Sequence, residues 1–172
     1  MKNLFTTIAF AFVVLLSTNV DAQKFRGLDA SPLDIASSKD KSVKIVYSRP
    51  QLKGRALGTL VPNGKMWRTG ANEGTEITFK NDMKLGGKGV KAGTYTLTTI
   101  PGDNEWTIVL NSVLGTWGGN AGSSYKKETE VARFMAKAST SDDSLEAFSI
   151  VFSDDAMNLG WGSIRVSVPF SM

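Results

Sequence analysis

Tyr47, Arg49, Arg55, Trp67, Arg68, Asn72 and Glu73 fall in one short stretch of this chain. Arginine offers a planar fork of N–H donors that matches carboxylates, sulfates or phosphates. Tryptophan offers a flat apolar face for a sugar ring or a guanidinium plane. Asn and Glu hold hydroxyls. Together they form a candidate ligand-binding pocket. Three arginines against one glutamate leave its local balance positive, which makes an anionic group such as a uronic acid, a sulfated sugar or a carboxylate metabolite the expected partner. The same string also reads as a structural turn. In that reading Trp67 is core, Arg68 pairs with Glu73, and Gly70 and Asn72 supply positive φ.

Other chemistry is bounded by what is missing. The chain has 172 residues and contains neither His nor Cys. Ser-His-Asp catalysis, Cys-His catalysis and zinc sites of ordinary ligand type are excluded, and no disulfide supports the fold. A carboxylate pair for glycoside hydrolysis remains open, with Glu73 beside Glu76, Asp82 or Glu105. Asp142-Asp143 and Asp154-Asp155 lack the alternating oxygen spacing of a calcium loop. Gly86-Gly87-Lys88-Gly89 lacks the Ser/Thr and the helix of a phosphate loop. No cofactor and no metal are expected.

The formal net charge of +4 comes from interspersed acids and bases. It forms no basic stripe, so no nucleic-acid partner is expected. Lys2 precedes the apolar run Leu4–Leu16, and Val20 and Ala22 occupy the −3 and −1 positions of a cut before Gln23. That is the pattern of a secretory signal peptide over residues 1–22, shorter than a membrane span of about 20 apolar residues. No Cys follows it to carry lipid, so no stable membrane anchor is expected. The expected product is an exported, periplasmic or secreted domain over residues 23–172, about 150 residues, enough for one core.

The elements that would position the pocket are strands. Val43, Ile45 and Tyr47 alternate with polar or smaller neighbours, as do Ile77 and Phe79. Tyr95 and Leu97 face Trp106, Ile108 and Leu110 across the turn string Pro101-Gly102-Asp103-Asn104, which predicts a hairpin over 94–110. Phe148, Ile150 and Phe152 alternate up to Asp154-Asp155. In the last strand Leu159 and Trp161 are odd-numbered, whereas Ile164, Val166, Val168 and Phe170 are even, so a β-bulge is expected at 160–163. Gly86–Gly89 reads as a loose turn. Residues 125–138 fit a helical stripe and an alternating strand equally well. Residues 112–124 form a long Gly-rich loop, and 23–31 an extended arm. About eight short strands imply one antiparallel β-sandwich or a jelly-roll-like domain.

The strings Val46-Tyr47-Ser48-Arg49-Pro50, Lys53-Gly54-Arg55, Met66-Trp67-Arg68-Thr69-Gly70-Ala71-Asn72-Glu73, Ala92-Gly93-Thr94-Tyr95-Thr96-Leu97 and Ile100-Pro101 resemble a bacterial exported family called domain of unknown function 2911. The resemblance runs from about Ser31 to the C-terminus. It implies a secreted, mostly β domain, favours strand over 130–138, and implies no activity. Gly162 departs from it, since a larger polar residue is expected after Trp161.

The leading expectation is therefore an exported, non-catalytic domain that binds a carbohydrate or a small anionic ligand. A carboxylate-dependent glycan enzyme is one alternative. A structural or interaction module of the cell envelope is another.

Overall fold

Strand alternation turns into a two-layered antiparallel structure because two strands are long enough to serve both layers. The computed structural model describes residues 31–115 and 125–172. In chain order its strands are β1 (Leu33–Ser37), β2 (Val43–Ser48), β3 (Thr75–Phe79), β4 (Met83–Leu85), β5 (Lys88–Val90), β6 (Gly93–Ile100), β7 (Glu105–Asn111), β8 (Glu130–Phe152) and β9 (Ala156–Ser171). A single helical turn, α1 (Leu57–Leu60), lies between β2 and β3. The strands hydrogen-bond in the order β1-β2-β3-β6-β7-β8-β9-β4-β5, every pair antiparallel.

β8 changes layers. Its first part pairs with β7, from Asn111↔Glu130 to Glu105↔Lys137. Its second part pairs with β9, from Ala138↔Val166 to Phe152↔Met157. The β8–β9 register slips between Thr140 and Leu145 and again between Leu145 and Ser149, the kind of irregularity that lets one strand turn a sandwich corner. The expected switch of parity in β9 sits opposite this corner. Trp161 is buried, Gly162 has φ +53, and Val166 and Val168 are buried on the new parity. Positive φ is the reason for a glycine at 162 rather than a larger polar residue.

The core lies between the layers. Ile45, Ile77, Leu97, Ile108 and Leu110 are fully enclosed on one side, and Phe148, Met157, Leu159 and Val168 on the other. Burying a side chain of this size stabilises the fold by about 1.5–3 kcal/mol. The 94–110 hairpin forms as expected, with Thr98 opposite Val109 and Ile100 opposite Thr107.

Several expectations change. Residues 130–138 are strand, after a 3-10 turn at Lys127–Thr129. Gly86-Gly87 is a tight two-residue hairpin turn rather than a loose one, since Leu85 pairs with Lys88 and both glycines have positive φ. At Gly86 a Cβ would also fall 2.1 Å from the Phe134 ring, so the turn lies directly on the facing layer. Among the described residues nine strands replace about eight, and two of them are long. Phe152, which its alternation with Ile150 would place inside, is half-buried against Phe170. β1 begins well before the first expected strand and breaks the usual pattern. Leu33 and Ile35 are 62% and 60% exposed, while Asp34 points inward. The expected signal peptide, most of the 23–31 arm and residues 116–124 of the Gly-rich loop lie outside the described residues.

Candidate functional site

The Trp67–Glu73 string is anchored by its backbone before its side chains do anything. Trp67 exchanges two main-chain hydrogen bonds with Thr99 at the end of β6, at 2.7 and 2.9 Å. This directs the indole inward. The ring stacks on Trp161 at 5.6 Å and 22°, meets Phe148 at 4.9 Å edge-on and Trp106 at 6.2 Å, and donates its Nε1–H to Gly70 O at 3.0 Å. Trp67 is thus an interlayer packing residue, with one of its faces taken by Trp161.

Beyond Trp67 the loop doubles back. Thr69 Oγ1 donates to Thr99 Oγ1 at 3.2 Å, and Thr75 Oγ1 donates to Thr69 O at 2.8 Å. Gly70 is needed for space rather than for φ, because a Cβ there would lie 3.0 Å from Ser48 O. Positive φ falls on Thr69 and Asn72. Asn72 Nδ2 donates to Ser31 O at 3.3 Å, tying the loop to the chain entering β1. The Arg68 guanidinium Nε is shut off from solvent, and Glu73 is exposed.

Tyr47 and Arg49 belong to a network that joins three strands. The Tyr47 hydroxyl accepts the Ile150 N–H at 2.9 Å and donates to Asp34 Oδ2 at 3.3 Å. Arg49 Nε donates to Phe148 O at 3.0 Å, and Nη2 to Ser149 Oγ at 2.8 Å. Arg49 Nη1 lies 3.4 Å from Asp34 Oδ2. Burial pushes the Tyr47 hydroxyl above its ordinary pKa, which keeps it protonated as a donor. Asp34 is the member that sequence reading missed. It stands between two apolar residues, and its alternation with them points to the wrong face.

A cleft of about 500 Å³ opens beside this network and the Asn72–Gly74 turn. Leu33, Val46 and Ser48 contribute from the outer face of β1 and β2, and Tyr47 lies behind them. Asn72, Glu73 and Glu76 supply its most polar groups, and among the described lining residues the two glutamates carry the charge.

Three of the seven candidate residues therefore share one cleft: Tyr47, Asn72 and Glu73. Arg49 is turned into the interlayer seam. Arg55 lines a different cleft, where Nε and Nη2 donate to Leu52 O and Gln51 O, each at 2.8 Å. Three arginines in one segment do not make one cationic pocket. Among the described residues no group of His, Cys, Asp and Glu is arranged to hold a metal ion, and no helix is long and apolar enough to cross a membrane.

Fold and site together define an antiparallel β-sandwich with an acidic cleft on its β1–β2–β3 face. The chain belongs to the family described as protein of unknown function DUF2911, whose profile matches residues 31–170. No curated protein and no solved structure matches it.

Proposed function

We propose that the domain works outside the cytoplasm as a non-catalytic binding module that takes a carbohydrate in the cleft beside Asn72. The observation that carries this reading is the pairing of Glu73 and Glu76 in a cleft whose walls also bring Ser48 and the apolar Leu33 and Val46. Carboxylates accept hydrogen bonds from sugar hydroxyls, and apolar side chains cover the C–H faces of a ring. Two carboxylates favour a neutral or amine-bearing sugar over an acidic one. Export rests on the basic-apolar-small pattern of residues 1–22.

The test is a thermal-shift and calorimetric comparison of glucose, glucosamine and glucuronate. Glucosamine should stabilise the protein most, and the preference should vanish in Glu73→Gln/Glu76→Gln. A preference for glucuronate, or no loss in the double variant, rejects the reading. Intact mass of the exported protein should show a chain beginning at Gln23.

Glu73 and Glu76 in one cleft also support a second reading, a carboxylate-dependent glycan hydrolase. Release of reducing ends from an amino-sugar polymer, abolished by Glu76→Gln, would favour it.

A further inference from the structure

A second cleft, of about 490 Å³, is lined by one cation and one anion over an apolar floor, unlike the acidic one. Leu52, Leu57, Val61, Trp106 and Ile164 give it an apolar floor, drawn from the α1 segment, β7 and the kinked part of β9. Arg55 stands on its rim. Two of its N–H donors are fixed on the carbonyls of Gln51 and Leu52, which holds the guanidinium in place and leaves its remaining donors facing away from those carbonyls. The other charged lining residue is Asp103, exposed at the tip of the β6–β7 turn, whose Oδ1 already accepts the Asn63 amide.

Trp106 adds a directional group. The indole N–H groups of Trp67 and Trp161 are taken by Gly70 O at 3.0 Å and Glu146 O at 3.1 Å. Trp106 is 4% exposed and lines this cleft, and no hydrogen bond among the described residues uses its indole N–H.

We propose that this cleft binds a small amphiphile with a carboxylate head and an apolar body. The head pairs with the Arg55 fork, the body covers the Leu52–Leu57–Val61 floor, and an oxygen of the ligand accepts from Trp106. An apolar floor with one positioned cation at its rim matches that class of ligand in shape and charge. The site is separate from the acidic cleft and does not depend on it.

The experiment uses three probes with one body and different heads: phenylacetate, 2-phenylethanol and phenethylamine. Binding to the purified protein is read by melting temperature and by tryptophan fluorescence. Phenylacetate should bind about tenfold or more tightly than the other two, the size expected of one charge-assisted contact. Arg55→Gln should abolish that preference. Because Arg55 also staples its own loop, a second variant is needed. At Gly58, on the cleft wall, a Cβ would meet no atom within 4 Å, so Gly58→Met should fold normally and obstruct phenylacetate. Glu73→Gln/Glu76→Gln should leave phenylacetate binding unchanged, so failure here and failure of the sugar reading are distinguishable. Equal binding of the three probes, preference for the amine, or undiminished binding in a folded Gly58→Met protein would overturn the proposal.

Discussion

The Tyr47 hydroxyl accepts the main-chain N–H of Ile150 across the sandwich, at 2.9 Å, although the two residues are 103 positions apart. The bond ties β2 in one layer to the far half of β8 in the other. It replaces a ladder hydrogen bond with a side-chain one at the point where β8 has left its first partner, and Asp34 holds the same hydroxyl from β1. Tyr47→Phe should keep the ring and its edge-on contact with Phe148 but leave a buried N–H without its acceptor. We expect a loss of about 1–3 kcal/mol in urea unfolding. An unchanged midpoint would show that the bond carries no stability.

Phe148 is enclosed to 1% exposure and touches Tyr47, Trp67 and Trp161, whereas Phe152, further along the same strand and on the same parity, is only half-buried against Phe170. Phe148→Ala should therefore cost about 3–5 kcal/mol, the range for a well-packed core aromatic, and Phe152→Ala clearly less. The order of the two melting temperatures checks this.

Two positive-φ glycines, Gly162 within β9 and Gly86 at the β4–β5 turn, should respond unequally to alanine. Gly162→Ala meets nothing closer than 3.9 Å, so its cost is the backbone strain alone, about 1–2 kcal/mol. Gly86→Ala adds a clash with the Phe134 ring 2.1 Å away and should cost more. Phe134→Leu in the Gly86→Ala background should recover part of that excess, read as a coupling in a double-mutant cycle.

Asp40 closes the β1–β2 connection. Its carboxylate accepts the Ser38 and Ser42 hydroxyls at 2.7 and 2.8 Å and the Ser42 N–H at 3.0 Å. These bonds, the Ser38 hydroxyl first, hold its pKa down at about 2, against 3.8 for a free side chain. The folded pKa is depressed, so the contribution is complete above pH 3.8 and is lost as pH falls toward about 2. Asp40→Ala should remove that acid-side slope from a stability-versus-pH series, while leaving the neutral-pH curve parallel to the parent. A variant that keeps the slope would place the titrating group elsewhere.

What the linear chain determined by itself is the local order: strands with period-two alternation at 43–47, 77–79, 94–110 and 148–152, the turn string at Pro101–Asn104, the parity switch in β9, and the absence of His and Cys that removes whole classes of catalysis. These are legible because each depends on neighbours within a few residues, through side-chain direction and turn geometry. The resemblance of the Trp67–Glu73 string was legible for the same reason, since it lies in contiguous residues. Only the tertiary structure decided what those residues face. Asp34 lies inward between exposed Leu33 and Ile35 because Arg49 and Tyr47, from another strand, supply its partners. Arg49 and Arg55, close in sequence, are sent to a seam and to a separate cleft because β2 ends at Ser48 and the chain then crosses to β8 at Gln51. Glu76 joins Glu73 in one cleft by standing on the outward parity of β3. Alternation assigns side chains to two faces, but which face is covered, and by which distant strand, follows from the way β8 bends from one layer into the other.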